Sequence, residues 1–395
     1  MSPLGLCMLL AERAAATGHV QLKLLKPDGP LRSRSFRDLP VIFAQGAGAS
    51  AVGKGPNLPA RQASAFGEWV ERRTLYTAVP EKHASARELG ASCLAPPSFG
   101  LDLASELPGL VRPYDQDATV GWIPVESLGG ERRWLHQPGW DETGFCRPTS
   151  NGAAVGRSYP AALAAAVAEL LERHAFVAWW YGLACARPLA AADSLWIELS
   201  AWFAADGWEL RAYLLPRLTC LPVVLAVALR HRTSGVPDAA IVGLGTGSGG
   251  DRPLDQAAGA AALEIVQALD SFALRKALRR PVTGDLAAFL TPVGASAIDA
   301  RLRSDLGTSP HPDEQWLGSP LDAARAAGLT IWISSRPCPV PHPGQLWFVQ
   351  VFSPGTLPFP STGRGRRLDH PVLRERLRQA GRTLSSVPPL PHPLG

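Results

Sequence analysis

The sequence predicts an α+β fold in which a few long helices pack against mixed sheets. Two observations lead to this prediction: three long alanine-rich segments each follow glycine and carry an early proline, and short β-rich runs lie between them. The runs and the helices do not alternate regularly, so a doubly wound parallel sheet is not expected. A chain of 395 residues has ample material for one large domain or two closely packed ones.

Each alanine-rich segment has the residues that start a helix. The segments cover residues 55–78, 156–182 and 249–280. Each contains a proline in the predicted first turn, where a helix tolerates it: Pro59, Pro160 and Pro253. Ser158 and Asp251 are suitable N-cap residues for the second and third helices.

Three runs outside the predicted helices are typical of strands. They are "VIFAQG" before the first helix, and "LPVVLAVALRH" and "QLWFVQVFSP" further along the chain. Each is rich in β-branched and aromatic residues and is bounded by proline or glycine. The runs therefore predict sheet elements against which the helices can pack.

The first two helices carry the same charged motif in the same frame. In each, twelve residues separate a glycine from the sequence Glu-x-x-Glu-Arg, and a proline precedes the first glutamate by nine positions. The motif residues are Glu68, Glu71 and Arg72 in the first helix and Glu169, Glu172 and Arg173 in the second. The third helix has Glu264 at a similar depth, with Gln267 in place of the second carboxylate.

Helix geometry limits what these glutamates can do. Glutamates at i and i+3 share one face, and Glu68 lies about 14 Å along the axis from Pro59. They therefore cannot serve a phosphate at the start of their own helix, but they can meet the glutamates of the other helices. Gathered carboxylates repel and need divalent cations or arginines to stay ionised. The alternative is that each motif forms a solvated charged face.

A glycine-rich stretch before the first helix has the spacing of a phosphate-binding P-loop. Gly48-x4-Gly53-Lys54 matches the Walker pattern, but Gly55 replaces the Ser or Thr that would hold Mg²⁺, and Pro56 follows. A Walker-type NTPase is therefore disfavoured. Lys54 taken alone could equally be a flexible surface lysine.

Composition excludes several classes of protein. The six cysteines are scattered without a C-x-x-C pair, which argues against zinc sites and disulfide frameworks. No signal peptide or uninterrupted apolar stretch of membrane-spanning length is found, so a cytoplasmic protein without a membrane partner is expected. The net charge is +5, and residues 363–382 are strongly basic. That segment could meet an acidic peptide or nucleic acid, although a solvated helix face is favoured and no nucleic-acid partner is expected.

Taken together, four segments resemble the signatures of the YcaO family, in family order. Residues 52–73 contain Gly-Lys-Gly followed by Ser-Ala-x-x-Glu-x-x-Glu-Arg, and residues 150–176 contain Ser-Asn-Gly, then glycine, then Glu-x-x-Glu-Arg. Residues 245–269 form a glycine turn before a helix with Glu and Gln three apart, and residues 388–395 alternate prolines. The resemblance implies a YcaO-type α+β fold whose mixed sheets and long helices surround an ATP site. It also implies an N-terminal segment over residues 1–45 and a catalytic domain with a proline-rich tail over residues 46–395.

The resemblance assigns roles residue by residue. The expected Mg²⁺ ligands are Glu71, Glu172 and Glu264. The expected ATP-binding residues are Lys54, Ser64, Glu68, Arg72, Asn151, Glu169 and Arg173. The tail residues expected to complete the catalytic site are Pro389, Pro391, Pro393 and Gly395. One departure is Ala260, where the family often has an arginine; Arg252 or Arg275 is a candidate replacement.

Two further side chains near the motifs each have two interpretations. His174 could be a general base or a packed helix residue, and packing is favoured. Trp69 could stack on adenine or belong to the core, and the core is favoured.

The function implied by the resemblance is ATP-dependent cyclodehydration of a ribosomally made precursor peptide, with Cys, Ser or Thr converted to thiazoline or oxazoline. Because few residues precede the first signature, a separate leader-binding partner is expected, either a ubiquitin-activating-like protein or a winged-helix module. A flavin dehydrogenase and a second copy of the chain are further candidate partners. The alternatives within the family are thioamide or amidine formation and an accessory role in ribosomal-protein modification. A non-catalytic scaffold subunit is the alternative outside enzymology.

Overall fold

The computed structural model has mixed sheets and long helices, which confirms the predicted α+β class. It describes residues 21–25, 36–39, 41–46, 49–95, 97, 112–136, 144–145, 149–215, 220–231, 236–247, 252–277, 279, 285–305, 316–339, 345–357, 359, 370–388 and 393–394. In that part of the chain the α-helices are α1 (Leu58–Tyr76), α2 (Ala86–Leu89), α3 (Tyr159–Trp180), α4 (Ser194–Ala204), α5 (Pro253–Ala277), α6 (Asp285–Phe289), α7 (Pro292–Ser304), α8 (Pro320–Ala326) and α9 (Pro371–Gln379).

The strands form three sheets within the described residues. The first is β1 (Gln21–Leu25), β2 (Val41–Gly46) and β3 (Ala49–Val52), in the order β1-β2-β3. The second contains β4 (Lys82–Ala84), β5 (Cys93–Leu94), β6 (Val120–Ser127), β7 (Arg132–His136), β8 (Ala153–Gly156), β13 (Trp332–Pro337) and β14 (Trp347–Phe352), in the order β5-β7-β6-β13-β14-β8 with β4 paired to β6. The third contains β9 (Arg187–Leu189), β10 (Trp208–Leu214), β11 (Val223–Arg230) and β12 (Ala239–Thr246), in the order β12-β11-β10-β9. The pairs are antiparallel except β5 with β7.

The long helices begin as their sequences predict. Asn57 caps α1 by accepting the N–H of Ala60 at 2.9 Å, and Ser158 caps α3 by accepting the N–H of Ala161 at 3.3 Å. The prolines of α1 and α3 lie in the first turn, where no intrahelical donor is lost. The third helix, α5, begins at Pro253, and its expected N-cap Asp251 lies outside the described residues.

The four-stranded sheet is covered on both faces. One face of β11 belongs to the core cluster that contains the second half of α3: Val223, Leu225, Val227 and Leu229. The other face belongs to the cluster that contains α5: Val224, Ala226 and Ala228. Because successive strand residues point to opposite faces, a doubly covered strand has a continuous apolar sequence, as this one has.

The other two sheets pack against the first half of α3 and against α1. The first half of α3 packs against β13 and β14 of the seven-stranded sheet through a cluster that includes Val167, Leu171 and Val349. Helix α1 covers the three-stranded sheet through Phe66, Trp69 and the residues around them. Each long helix therefore rests on a different sheet surface.

Helix α5 is long and apolar enough to span a membrane by length and composition. Its buried side, which includes Ala258, Ala262 and Ile265, packs against the four-stranded sheet. A core helix that covers a sheet has the same composition as a spanning helix, so this apolar character is accounted for by packing.

The predicted domain boundary and the predicted proline-rich tail can both be located in the structure. The expected domain boundary between residues 45 and 46 falls within β2, which pairs with β1 on one side and β3 on the other. In the tail, Pro389, Pro391 and Gly395 lie outside the described residues, whereas Pro393 and Leu394 are buried. Leu394 belongs to the core cluster that includes the second half of α3, so this part of the tail docks on the protein.

Candidate functional site

The Gly53-Lys54-Gly55 loop joins β3 to α1 and lies against the first turns of the helix. A Cβ at Gly53 would lie 1.8 Å from the carbonyl oxygen of Arg61, and Gly55 has a φ of +155° with a Cβ position only 2.6 Å from Ala60 Cβ. Only glycine fits so close to the helix backbone. The loop is held further by Ser64, whose Oγ accepts the backbone N–H of Lys54 at 3.2 Å.

The Lys54 side chain reaches from the glycine loop to α5. Its Nζ lies 2.7 Å from Glu264 Oε1, and the other carboxylate oxygen of Glu264 accepts the N–H of Leu244 at 3.3 Å. Burial by itself would raise the pKa of Glu264, but Lys54, Arg173 and the Leu244 N–H together lower it. Glu264 is therefore ionised and fixed between β12 and the glycine loop.

Glu68 on α1 is tied to α5 by a side-chain amide. Gln267 Nε2 donates to Glu68 Oε2 at 2.8 Å and to the carbonyl oxygen of Val52 at 2.5 Å. Arg72 pairs with Glu68 at 2.5 Å and also donates to the carbonyl oxygen of Ser50 at 2.5 Å. The glutamine that replaces a second carboxylate on the third helix thus connects two helices.

The glutamates of α3 complete the cluster. Arg173 interacts electrostatically with Glu169, Glu264, Glu172 and Glu71. Its Nε lies 3.7 Å from Glu169, and its guanidinium lies 4.8 Å from the centre of the Phe359 ring. The structure therefore gathers glutamates from three helices around Lys54 and Arg173, rather than leaving each motif as a solvated face.

Burial and mutual repulsion change the ionisation of three carboxyl groups. Burial raises the pKa of Glu169 to about 7 and that of Glu172 to about 8, with Glu264 contributing repulsion in both cases. Burial, Glu169 and Glu68 raise the pKa of Glu71 well above its ordinary value. The cluster thus has more acidic groups than its cations neutralise, which is the electrostatic environment of a divalent-cation site.

The donor set fits Mg²⁺ held together with phosphates. Among the described residues, no three acidic, histidine or cysteine side chains form a ready-made metal cage. Mg²⁺ is usually held by one or two carboxylates with waters and substrate phosphates, so a complete protein cage is not required. The Lys54 side chain is 37% exposed, so the cluster is open to a ligand.

The other predicted residues have different surroundings. Asn151 Oδ1 is buried without a hydrogen-bond partner in the described part of the chain, as an acceptor awaiting a ligand would be. Trp69 is fully buried and donates Nε1–H to the carbonyl oxygen of Gly46 at 3.0 Å, so it belongs to the core. His174 is also buried, and its Nδ1 accepts the N–H of Leu357 at 2.9 Å.

Neither arginine proposed to compensate for Ala260 reaches the cluster. Arg252 pairs with Asp255 at 2.6 Å before the first turn of α5. At 1.5 Å per residue, Arg252 and Arg275 each lie about 17 Å along the helix from Glu264. This spacing does not favour either arginine as the replacement, and the cations that the structure places beside the glutamates are Lys54, Arg72 and Arg173.

A buried ion pair next to the glycine loop was not predicted from the sequence. Arg61 is fully buried, donates to Asp270 Oδ2 at 2.8 Å, and donates Nε–H to the carbonyl oxygen of Gly55 at 3.3 Å. Its spacing gave a signal, because residues 61, 65 and 69 recur on the buried face of α1. Asp270 on α5 could not be identified as its partner without the helix packing.

Comparison with known protein families gives one extended match. Residues 52–357 match the model of the YcaO cyclodehydratases, a family described as binding ATP and Mg²⁺. No curated protein has significant sequence similarity to the chain.

Solved structures with the same fold are distant in sequence. A heterocyclase in complex with substrate and cofactor is 20% identical with a TM-score of 0.68, and the similarity covers 100% of this chain and 57% of that chain. YcaO from Methanopyrus kandleri, bound with AMPPCP and Mg²⁺, is 18% identical with a TM-score of 0.63, covering 90% of this chain and 91% of that chain. The E. coli microcin synthetase McbBCD complex with pro-MccB17 bound includes a chain 14% identical with a TM-score of 0.61, covering 85% and 88% respectively. This chain thus spans 57% of the length of the first heterocyclase.

Proposed function

The chain belongs to the YcaO family, as the match over residues 52–357 shows, and on that premise we propose that it is an ATP-dependent peptide cyclodehydratase. The observation that carries the proposal is the cluster of glutamates from α1, α3 and α5 around Lys54 and Arg173. A site with excess buried carboxylates and fixed cations suits Mg²⁺ and nucleotide phosphates. The family's description as ATP- and Mg²⁺-binding agrees with this donor set.

The residues of the cluster divide into two groups by chemistry. Glu71, Glu172 and Glu264 would hold Mg²⁺. Burial and neighbouring carboxylates raise the pKa values of Glu71 and Glu172, so both are short of positive partners, whereas Lys54 and Arg173 keep Glu264 ionised. The cations Lys54 and Arg173 would contact phosphate oxygens, because each faces several of the same glutamates. Ser64 and the two loop glycines position Lys54 for this contact.

The proposed reaction needs no protein nucleophile. A Cys, Ser or Thr side chain of the peptide attacks the preceding carbonyl carbon, and the side-chain and amide protons are lost as the ring forms. ATP supplies the phosphoryl group with which the amide oxygen departs as phosphate. The chain's contribution is then positioning and charge neutralisation, which fixed cations and carboxylates provide.

The proposed substrate is a ribosomally made precursor peptide, and the ring is a thiazoline or oxazoline. The heterocyclase of similar fold is in complex with substrate, and the E. coli relative is part of an assembly with pro-MccB17 bound. By analogy we expect a separate leader-binding partner here, ubiquitin-activating-like or winged-helix in type. A flavin dehydrogenase acting on the product and a second copy of the chain remain candidate partners, and use of ATP suggests the cytoplasm.

Calorimetric titration tests the nucleotide site. Glu71→Gln and Glu172→Gln should each weaken binding of Mg²⁺ with a non-hydrolysable ATP analogue by about tenfold or more, because a hydrogen bond or metal contact to a charged group is lost. Glu131→Gln is the matched control, since Glu131 is exposed and pairs only locally with Arg133. Wild-type affinity in both cluster variants would refute the metal assignment.

A further inference from the structure

A small cavity lies beside the glutamate cluster, between α3 and α9. Its volume is about 240 Å³, and its lining includes His174, Leu183, Leu357 and Arg376. His174 directly follows Arg173 in α3, so adjacent residues of one helix contribute to the cavity and to the cluster, although their side chains leave the helix in different directions. The described contacts of the proposed nucleotide site do not involve it.

His174 presents one fixed hydrogen-bond donor to this cavity. The N–H of Leu357 donates to His174 Nδ1 at 2.9 Å, so Nδ1 must be unprotonated and the ring proton must reside on Nε2. The His174 residue is only 2% exposed, and within the described structure no acceptor lies on Nε2. A fixed N–H donor that lines a cavity and has no acceptor in the described structure is a position at which a ligand oxygen can bind.

Arg376 adds a positive charge at the cavity mouth. It is exposed on α9, and in the described part of the chain no carboxylate pairs with it. The nearby Glu375 is engaged elsewhere, by Arg378 at 2.7 Å and by Gln379 at 2.8 Å. The cavity therefore combines a fixed donor inside with a free cation at the entrance, which together favour an anionic oxygen ligand.

The size and the walls of the cavity restrict the ligand further. A volume of 240 Å³ equals about eight water molecules and is below the usual range for a nucleotide or drug-sized ligand. Ala178, Leu183 and Leu357 make much of the wall apolar. A bare phosphate would leave these groups uncovered, whereas a carboxylate attached to a short aliphatic group would contact them and the donors together.

We propose that this cavity is a subsite for a peptide carboxylate, taking an acidic or chain-terminal carboxylate with the aliphatic atoms that carry it. The carboxylate accepts the Nε2–H of His174 and pairs with Arg376, while its aliphatic part packs on Leu183 and Leu357. The segment that includes Leu357 also brings Phe359 against Arg173, so the subsite and the cluster share a wall. The proposal rests on the proposed function only in taking the ligand to be part of the peptide substrate.

Binding of small probes to the full chain tests the subsite without ATP. N-acetyl-leucine should bind, whereas N-acetyl-leucinamide, which has the same shape without the charge, should bind at least tenfold more weakly. Arg376→Gln should weaken N-acetyl-leucine binding by about tenfold, as loss of a charged hydrogen bond does. The control Arg378→Gln, at another exposed arginine of the same helix, should leave it unchanged.

Several results would overturn the proposal. Equal binding of the acid and the amide, or equal affinity in wild type and Arg376→Gln, would show that no carboxylate is recognised. Binding of inorganic phosphate without binding of N-acetyl-leucine would make the cavity an inorganic anion site instead, and binding of neither probe would remove the subsite. Because these titrations contain no nucleotide, their failure is distinguishable from failure of the ATP-site assignment.

Discussion

Glu169 and Glu172 are only partly ionised near neutral pH, because burial raises their pKa values to about 7 and about 8. At pH values between the ordinary glutamate pKa and these raised values, the folded protein therefore holds more protons on these two residues than the unfolded chain does. By linkage, this contribution to stability is greatest at low pH and is lost as the pH rises through about 7 to 8. Ionised carboxylates are also the form that binds metal, so Mg²⁺ binding should strengthen over the same interval.

We therefore expect the melting temperature of the ligand-free protein to fall between about pH 6.5 and about pH 8.5. Added Mg²⁺ with a non-hydrolysable ATP analogue should reduce that fall, because the ligand compensates the ionised carboxylates. Thermal unfolding in a pH series gives the measurement, with Glu172→Gln as the comparison because its amide does not titrate. Asp270, with a pKa of about 6, completes most of its change below this interval. His174, whose pKa is lowered from 6.5 to about 3, adds stability as the pH rises through 6.5, so it opposes the fall at the lower end of the interval, and the comparison with Glu172→Gln isolates the glutamate contribution. A melting temperature that rises with pH here would contradict the assignment.

A second prediction at the residue scale concerns the buried Arg61–Asp270 pair. Arg61→Met should lower the free energy of unfolding by about 3 kcal/mol, because it leaves the buried carboxylate of Asp270 without its cation. The double variant Arg61→Met with Asp270→Leu should recover much of that loss, since neither charge is then buried. Denaturant titration measures both.

The exposed pair Arg325–Asp322 provides the control for this experiment. Arg325→Met should cost less than about 1 kcal/mol, because solvent screens a surface pair. If Arg61→Met lowered the free energy of unfolding by no more than Arg325→Met does, the buried pair would contribute no more to stability than an exposed pair.

At the scale of elements, the tail is anchored by Leu394. This side chain is buried in the core cluster of α3 and α9, so Leu394→Ala should lower the free energy of unfolding by about 2 to 4 kcal/mol. Val79→Ala, at a side chain that is 75% exposed, should change it by less than about 0.5 kcal/mol. Similar small losses in both variants would show that the tail is not docked in solution.

The burial of Leu394 also changes how a catalytic role of the tail is tested. Deleting residues 389–395 would remove a core contact, so this deletion should lower the melting temperature whether or not the tail is catalytic. Replacing Pro389 and Pro391 by alanine leaves Leu394 in place and removes only the stiffness of the extended segment. Under the predicted catalytic role, these replacements lower peptide cyclisation while the melting temperature stays unchanged.

For the whole molecule, we expect turnover to depend on a partner that binds the precursor's leader. Mass spectrometry of the precursor peptide should show loss of one water mass per ring efficiently only when the partner is added. Efficient ring formation by this chain alone would refute this expectation, and a sulfur-for-oxygen mass change would favour thioamide formation instead.

The sequence by itself determined the three long helices and the register of their glutamates. Helix starts depend on local capping and on proline in the first turn, so Pro59, Ser158 and Pro160 predicted them from neighbours along the chain. The fixed rise and rotation of a helix likewise made the two Glu-x-x-Glu-Arg motifs visible as one repeated device. The family signatures were found in the same local patterns, and the match over residues 52–357 covers the three helical signatures, whereas the proline-alternating tail at residues 388–395 lies beyond it.

Only the tertiary structure decided which of these groups meet and in what state of ionisation. The pairing of Lys54 with Glu264, of Gln267 with Glu68 and of Arg61 with Asp270 joins residues about two hundred positions apart, because α1 and the loop before it pack against α5. The tertiary structure also shows that Trp69 and His174 are buried. The sequence had left two interpretations open for each of them. Burial and contacts between distant segments set the pKa values, and both depend on how whole helices pack, which no local pattern specifies.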